Sequence, residues 1–366
     1  MNLKGAFMEL KRCSKCDLPE TYPGIEFDEN GVCNLCRNFE DTDYTYLGEE
    51  KLFEKVKEVL SDKKFENRPY DAAVAFSGGR DSTYLVHYVK NVLKLNVVAL
   101  SLSHDFMPED TVKSSKAICE SLGVDLKYIE NKKLNVYGRK LVRAWAKKPN
   151  SPMLVTFCSG CRYGIKKMIP DYCRDNGIPL LFIGNNRMEK MSWRQDLISS
   201  NPSKPSTVNK IKGYAGHMLK NPRLIGSPKC LYLQGYEFLL PKLKQKEPPV
   251  ILAPMRDYFY LPEDELVNKI KEMGWYPDSR FKSTWRADCY VNVLRQYYYK
   301  RIQHLTDQDV HYGLLIRQGK MTREEALVEL EKETGIDENL LREIMKEYYD
   351  LDFDKIEERI AKKEKK

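Results

Sequence analysis

The sequence predicts an α/β protein built on a doubly wound parallel sheet. Five short apolar runs of strand length alternate with segments of helical periodicity, and these runs occupy 72–76, 96–102, 124–129, 180–183 and 250–253. Strands that alternate with helices pair in parallel, because each helix carries the chain back across the sheet. Ligands of such sheets bind beyond the carboxyl ends of the strands. We therefore expect the loops that follow these runs to form the functional site.

Length and composition limit the class of protein. The chain has 366 residues and 42% apolar side chains, which is enough for one or two domains with a packed core. No apolar run approaches the roughly 20 residues that span a bilayer, and the N-terminus lacks the apolar segment of a signal peptide. A cytoplasmic protein without a membrane partner is expected. The net charge of +8 suits an anionic ligand such as a nucleotide and leaves tRNA open.

The chain is expected to divide into segments of different character. The region before the first apolar run is charged and helix-prone, and the region after the last run carries helix-start signals such as Thr322 followed by Glu325. The predicted segments are a zinc-ribbon module at 1–45, a linker helix at 46–68, the sheet domain at 69–260 and a helical C-terminal region at 261–366.

Four cysteines near the N-terminus have the spacing of a structural metal site. Cys13 and Cys16 form one Cys-x-x-Cys pair, and Cys33 and Cys36 form a second pair after sixteen intervening residues. Paired cysteines at this spacing indicate a four-thiolate Zn²⁺ site, and the stretch 28–31 between them suits a hairpin turn. Because four thiolates leave no open position on zinc, we predict a structural role rather than a catalytic one.

The stretch most informative about function is Ser-Gly-Gly-Arg-Asp-Ser at 77–82. It joins the first apolar run to a helical pattern, so the free N–H groups of a helix start follow a glycine turn. The two glycines let the backbone approach an anion closely, the two serines add hydroxyl donors, and Asp81 can hold Mg²⁺. The stretch is not a Walker loop, because the Gly-x-x-x-x-Gly-Lys-Ser/Thr pattern is absent here. A phosphate-binding loop of another kind is predicted.

This strand, loop and helix resemble the PP-loop of the N-type ATP pyrophosphatases, an adenine nucleotide alpha hydrolase-like fold. That family splits ATP between the α- and β-phosphates and passes AMP to an oxygen of its substrate. The ATP-binding residues that the resemblance implies are Ala75, Ser77, Gly78, Gly79, Arg80, Asp81, Ser82, Leu102, Ser103, Gly184 and Asn185. The candidate catalytic residues are Asp81, Ser82 and Glu189, of which Glu189 contacts magnesium or polarises a nucleophile.

Two further stretches, 13–37 and 313–326, are similar to the N-acetyl sugar amidotransferases. Those PP-loop enzymes belong to surface-polysaccharide and flagellin sugar pathways. The resemblance implies conversion of the acetamido group of a nucleotide sugar to an acetamidino group, with ATP, Mg²⁺ and ammonia. Since no glutaminase domain is evident in this chain, we expect a separate glutaminase subunit to supply the ammonia. A homodimer is also left open.

A further cysteine pair, Cys158 and Cys161, departs from that family and resembles the PP-loop tRNA thiolases. The resemblance implies that this pair and a later third cysteine, Cys230, hold a [4Fe–4S] cluster with one open iron. The other cysteines of the sheet domain and C-terminal region are expected to be core residues, and these are Cys119, Cys173 and Cys289. Two functions therefore stay open: amidation with ammonia, and ATP-dependent sulfur transfer to tRNA or a small molecule. The intact 77–82 stretch disfavours a third, a nucleotide sensor without activity.

Overall fold

The computed structural model of the protein describes most of the chain. The described residues are 10–40, 45–189, 192–226, 228–229, 231–232, 234, 249–281, 284–286, 288–333 and 337–364. Cys230, the expected third ligand of an iron–sulfur cluster, lies outside these residues.

A five-stranded parallel sheet forms the centre of the protein. Its strands are β1 Ala72–Ala75, β2 Val97–Ser103, β3 Asp125–Glu130, β4 Leu180–Ile183 and β5 Val250–Leu252. The order is β3-β2-β1-β4-β5, and all neighbouring strands are parallel. The predicted doubly wound sheet is thus confirmed. The direction of winding reverses between β1 and β4, which is where ligands of such folds bind.

Helices flank the sheet and form the region that follows it. The α-helices with described bounds are Asn34–Arg37, Glu49–Leu60, Arg80–His87, Glu109–Ser121, Lys132–Trp145, Ser159–Tyr163, Ile169–Asp175, Trp193–Asp196, Thr207–Lys220, Pro254–Asp257, Glu263–Glu272, Tyr290–Gln303, Asp307–Arg317, Arg323–Glu333, Glu338–Tyr349 and Phe353–Glu364. Short 3₁₀ segments lie at Lys63–Phe65, Pro152–Cys158 and Pro222–Leu224, and π-helical turns lie at Tyr88–Val92 and Gly164–Met168. Among the helices in the described ranges, none is long and apolar enough to cross a bilayer.

Alternation of side chains along β1 places apolar groups on both faces of the sheet. Ala72 and Val74 face a cluster that includes Leu52 of the helix Glu49–Leu60. Ala73 faces the opposite cluster, to which the helix Ile169–Asp175 contributes. A strand covered on both faces needs a continuous apolar run, which explains why these strands are recognisable in the sequence.

The cysteine module at the N-terminus packs against the C-terminal helices. A Cβ at Gly313 would lie 3.2 Å from the carbonyl oxygen of Cys16, so the helix Asp307–Arg317 approaches the module very closely. The buried carboxylate of Asp17 pairs with Arg323 at 2.7 Å and with Arg12 at 2.9 Å. The module and the C-terminal region therefore share one core. The division of the chain into four segments stays a prediction.

Candidate nucleotide site and the thiols beside it

The bend between β1 and the helix Arg80–His87 requires glycine at its tightest point. Gly78 has φ +79°, a conformation that favours glycine over residues with a Cβ. A Cβ at this position would lie 2.5 Å from Ser115 Oγ and 2.7 Å from Thr111 Cγ2. Backbone conformation and close packing therefore both exclude a side chain here.

Hydrogen bonds hold the bend in shape. The N–H of Gly79 donates to Ser77 Oγ at 3.2 Å, and the N–H of Ser77 donates to Ser82 Oγ at 3.2 Å. The indole N–H of Trp275 donates to the carbonyl oxygen of Gly78 at 2.9 Å. No side chain caps the helix that begins after Gly79. Its first N–H groups are thus available to an anion, and the helix dipole favours negative charge at this end.

The loop after β4 lies directly against this bend. A Cβ at Gly184 would lie 3.1 Å from the backbone nitrogen of Ser82 and 3.2 Å from the carbonyl carbon of Asp81. Asn185 next to it is exposed to solvent. Ala75 ends β1 in register with Leu100 of β2 and Ile183 of β4. Leu102 and Ser103 end β2, the other neighbour of β1. The expected ATP-binding pieces therefore gather at one edge of the sheet.

Two carboxylates, Asp81 and Glu189, and Arg286 lie near the start of the helix Arg80–His87. Arg286 donates to Glu189 Oε2 at 2.5 Å. Burial and the charge of Glu189 raise the pKa of Asp81 to about 7. Burial also opposes ionisation of Glu189, but Arg286 and Arg80 outweigh it and lower the pKa of Glu189. The charges of Arg80 and Arg286 therefore do not fully offset the burial and the neighbouring carboxylate, which together favour the protonated form of Asp81.

Arg80 connects the helix Arg80–His87 to the C-terminal region. Its guanidinium is buried, donates to Glu263 and to Thr284 Oγ1, the latter at 3.3 Å, and lies 4.8 Å from the centre of the Trp285 ring. These contacts come from the segment after β5. These contacts hold the Arg80 guanidinium in place, so its position does not require a bound phosphate.

Three further cysteines, Cys158, Cys161 and Cys289, lie close enough for their charges to interact. Arg295 donates to Cys158 Sγ at 2.8 Å, and the helix that carries Arg295 begins directly after Cys289. Burial raises the pKa of Cys289, with added contributions from Asp288, Cys158 and Cys161. Cys161 is an exposed residue, but desolvation of its thiol, followed by the charges of Cys158 and Asp288, raises its pKa to about 12.

Cys289, which was expected to be a core residue, is half-buried and packs against the core directly before the helix Tyr290–Gln303. Cys119 and Cys173 are buried, as expected. Asp288 connects the thiols to the glycine bend, since a Cβ at Gly79 would lie 3.1 Å from Asp288 Oδ2.

The four N-terminal cysteines form a compact thiol cluster. Cys13 Sγ lies 3.8 Å from Cys36 Sγ, and Cys16 Sγ lies 3.7 Å from Cys33 Sγ. All four sulfurs lie within 4.8 Å of one another. Tetrahedral zinc with bonds of about 2.3 Å places its sulfur ligands about 3.8 Å apart. The four thiol donors and their spacing therefore fit a structural Zn²⁺ ion. Arg317 Nη1 lies 3.2 Å from Cys16 Sγ, where its positive charge offsets that of the thiolates.

Comparisons with known proteins find partial matches to this chain. Residues 51–148 match the family model described as NAD synthase, which covers the glycine bend but less than half of the chain. The chain is also 26% identical over 116 residues to an uncharacterized protein of Methanocaldococcus jannaschii. That alignment spans 31% of this chain and 41% of the relative, so the chain matches about two fifths of the relative's length. The segment 51–148, which carries the glycine bend, is thus similar to the NAD synthase family.

Several solved structures show a partial similarity to this chain. The U34-tRNA thiolase NcsA of Methanococcus maripaludis, solved with its [4Fe–4S] cluster, is 17% identical with a TM-score of 0.36, covering 86% of this chain and 88% of that one. The NH3-dependent NAD synthetase of Campylobacter jejuni is 14% identical with a TM-score of 0.33, covering 74% and 94%. The NMN synthetase of Francisella tularensis is 13% identical with a TM-score of 0.36, covering 87% and 97%. TM-scores this low do not indicate which of these three proteins' activities this chain has.

Several residues of the site have no counterpart in the sequence-based expectations. They all follow β5, and they are Glu263, Trp275, Arg286, Asp288 and Arg295. The stretch around Trp285 combines an indole, a guanidinium, a carboxylate and a thiol within five residues, which is a signal that sequence reasoning could have used. Nothing in its periodicity, however, indicated contact with a loop about two hundred residues earlier.

Proposed function

We propose that the protein is an ATP-dependent amidotransferase that converts the acetamido group of a nucleotide-activated sugar to an acetamidino group. The observation that carries the proposal is the glycine bend at the winding reversal, where an uncapped helix start lies beside Asp81 and Glu189. Anionic phosphates suit the helix start, and carboxylate oxygens suit the Mg²⁺ that accompanies ATP.

The residues around the bend fit a magnesium nucleotide. Asp81 and Glu189 would hold Mg²⁺, and the ion supplies charge neutralisation on the phosphates when it is bound. The N–H groups at the start of the helix Arg80–His87 bind phosphate oxygens, and Ser77 and Ser82 add hydroxyl donors. Arg286 lies next to Glu189 and can stabilise negative charge that develops during adenylate transfer. Asp81 and Ser82 act by positioning the nucleotide, since neither needs to move a proton.

Adenylation solves a definite chemical problem for an amide substrate. An amide oxygen is a poor leaving group, so direct attack by ammonia is slow. Attack of the acetamido oxygen on the α-phosphorus forms a C–O–P linkage and releases pyrophosphate. Ammonia then adds to the activated carbon, AMP leaves with the former amide oxygen, and loss of a proton gives the amidine. Alignment of oxygen and phosphorus is the main contribution of the protein.

The identity of the acceptor rests on the similarity of 13–37 and 313–326 to the N-acetyl sugar amidotransferases. Both stretches belong to the structural unit formed by the cysteine module and the C-terminal helices, outside the sheet. We propose that this unit selects the acceptor, while the sheet domain supplies the nucleotide chemistry. A separate cytoplasmic glutaminase subunit as the ammonia source belongs to the same proposal.

The test is a reaction with isotopic nitrogen. Protein, ATP, Mg²⁺ and ¹⁵N-ammonium are incubated with nucleotide-activated N-acetyl sugars, and AMP, pyrophosphate and labelled sugar are measured. The proposal predicts one labelled nitrogen in the sugar for each pyrophosphate released. The variant Gly78→Ala should lose the release of pyrophosphate and the formation of labelled sugar together. Release of pyrophosphate without incorporation of ¹⁵N would contradict the proposed amidation.

A second function, ATP-dependent sulfur transfer to tRNA or a small molecule, is favoured by one specific observation. Arg295 donates to Cys158 Sγ at 2.8 Å from the helix that begins after Cys289, and Asp288, next to Cys289, borders Gly79 of the glycine bend. Thiols at this place suit delivery of sulfide to an adenylated carbonyl group. Replacing ¹⁵N-ammonium by ³⁵S-sulfide, with tRNA as the acceptor, distinguishes the two functions by which label enters the product.

A further inference from the structure

The helix Thr207–Lys220 presents an apolar face to solvent. Val208 and Ile211 are 59% and 41% exposed, and Leu219 near the end of the helix is 82% exposed. Ala215 between them is exposed as well. These four residues follow one another at intervals of three or four, so they form one row along the helix, which we call the apolar row. A row of this kind normally faces a core, and here it faces outward.

The opposite side of the helix is fixed to the protein. A Cβ at Gly213 would overlap the carbonyl oxygen of Ile198, so the helix lies directly against the chain at this point. Lys210 on the same side pairs with Asp196 at 2.8 Å. Because successive residues of a helix are rotated by about 100°, Ala215 points away from Gly213. Packing therefore holds the apolar row in its outward position.

The stretch that contains this helix concentrates positive charge. Residues 197–236 include no aspartate or glutamate, although the whole chain has 53 of these against 61 lysines and arginines. The exposed cations of the stretch are Lys204, Lys212, Lys220, Arg223 and Lys229. Lys212 directly follows Ile211, and Lys220 directly follows Leu219, so two of these cations border the apolar row.

Positive charge continues beyond the C-terminal end of the helix. Lys148 Nζ donates to the carbonyl oxygen of Lys220 at 2.8 Å, and Asn221 donates to the carbonyl oxygen of Ala144 at 2.9 Å. Lys148 belongs to a second stretch without aspartate or glutamate, residues 131–170. Two acid-free stretches thus meet at one place on the surface, which favours an anionic partner.

The composition of this surface indicates the chemistry of the partner. Its exposed cations are mostly lysines, and its apolar row is aliphatic. Protein–protein interfaces are enriched in arginine and aromatic residues and depleted in lysine. Recognition of RNA relies on bases that stack on aromatic side chains and arginine. Aliphatic side chains bordered by lysines suit an anionic bilayer, where the former enter the acyl-chain boundary and the ammonium groups reach the head groups.

We propose that the helix Thr207–Lys220 binds the surface of an anionic membrane, with the apolar row in the acyl-chain boundary and Lys204, Lys212 and Lys220 among the phosphates. The helix lies on the bilayer and does not cross it. This departs from the expectation of no membrane partner, which rests on the lack of a spanning run and a signal peptide. The inference goes beyond the proposed function and is independent of it, because neither ATP nor a sugar takes part.

The experiment measures sedimentation of the full chain with lipid vesicles of two compositions. One is phosphatidylcholine alone, and in the other about a third of the lipid is phosphatidylglycerol. We expect binding to the anionic vesicles only, and weaker binding as added salt screens the charges. The double variant Lys212→Gln with Lys220→Gln should bind about 25-fold more weakly, since each lysine near an anionic surface contributes about fivefold. Leu219→Ser should weaken binding by about tenfold or more.

Matched controls make the same changes elsewhere on the surface. Lys51→Gln with Lys57→Gln removes two exposed lysines from the helix Glu49–Leu60, and Val328→Ser changes a 51% exposed side chain of the helix Arg323–Glu333. Both controls should bind the anionic vesicles as the wild type does. Equal losses for the two lysine pairs would show that net charge alone drives binding, which contradicts the proposal. Unchanged unfolding temperatures show that the variants are folded.

Insertion of the apolar row into the bilayer has a direct test. Leu219→Trp places an indole in the row, and Val328→Trp places one on the control helix. Vesicles whose acyl chains carry bromine should quench the added fluorescence of Leu219→Trp and leave that of Val328→Trp unchanged. Equal quenching of both variants, or of neither, would contradict the assigned orientation.

Other occupants of this surface give different results, each of which would overturn the proposal. Wild-type protein that binds tRNA and remains in solution with anionic vesicles would assign the surface to nucleic acid. A dimer that Leu219→Ser dissociates in the absence of lipid would assign the apolar row to a second copy of the chain. Vesicle binding that Leu219→Ser leaves unchanged would exclude the apolar row from the membrane contact.

Discussion

Replacing Gly78 by alanine tests the geometry of the glycine bend. An L-residue in the left-handed region costs about 1–2 kcal/mol, and Gly78 has φ +79°. The new methyl group would also meet Ser115 Oγ at 2.5 Å and Thr111 Cγ2 at 2.7 Å, and overpacking of this kind costs about 1–3 kcal/mol. The two costs together predict a loss of about 2–5 kcal/mol in the free energy of unfolding. Affinity for Mg–ATP should fall as well, because relief of the overlap displaces the N–H groups that bind phosphate.

A matched glycine separates the two costs. Gly177 has φ +65°, and a Cβ there would have no neighbour within 4 Å, so Gly177→Ala should lose only about 1–2 kcal/mol and bind ATP normally. Chemical denaturation and titration calorimetry with ATP measure both quantities. The pair Thr111→Ser and Ser115→Ala removes the two obstructing atoms and should partly rescue Gly78→Ala. Equal losses for Gly78→Ala and Gly177→Ala, with ATP binding intact, would refute the reasoning.

The remaining predictions concern charge, metal and the indole above the bend. Because the pKa of Asp81 is raised to about 7, its ionisation destabilises the fold as pH rises from about 4 to about 7. Asp81→Asn should therefore stabilise the protein at pH 8, by at most about 4 kcal/mol, have little effect at pH 4, and abolish binding of Mg–ATP. Chelation should release one zinc ion per chain and lower the unfolding temperature, and Cys33→Ser should do the same. Trp275→Phe removes the bond to Gly78, so we expect a loss of about 1–2 kcal/mol and a higher KM for ATP.

The sheet could be predicted because its physical requirements are local. A strand buried on both faces needs a continuous apolar run, and the five runs lie close to β1–β5. The glycine bend could be predicted for a related reason, since Gly78 occupies a backbone conformation that a single residue type favours. The spacing of Cys13, Cys16, Cys33 and Cys36 similarly encodes a tetrahedral site within one short segment.

The other half of the site could not be read from local patterns. Arg286 and Asp288 reach the bend only because the segment after β5 folds back over the sheet edge. Cys289 resembles an ordinary core cysteine in its sequence context. Its neighbours are decided by the packing of the helix Tyr290–Gln303 against the segment that carries Cys158. Tertiary contacts across such separations leave no period or spacing in the sequence.

The central claim is that an acceptor oxygen takes AMP from ATP held in the glycine bend. It is tested most directly with a nucleotide-activated N-acetyl sugar that carries ¹⁸O in the acetamido group. After reaction with ATP and ammonium, mass spectrometry locates the label. We predict ¹⁸O in the phosphate of AMP, because the C–O bond breaks after the oxygen has bonded to phosphorus. Release of ADP, or label found in inorganic phosphate or water with unlabelled AMP, would contradict the account.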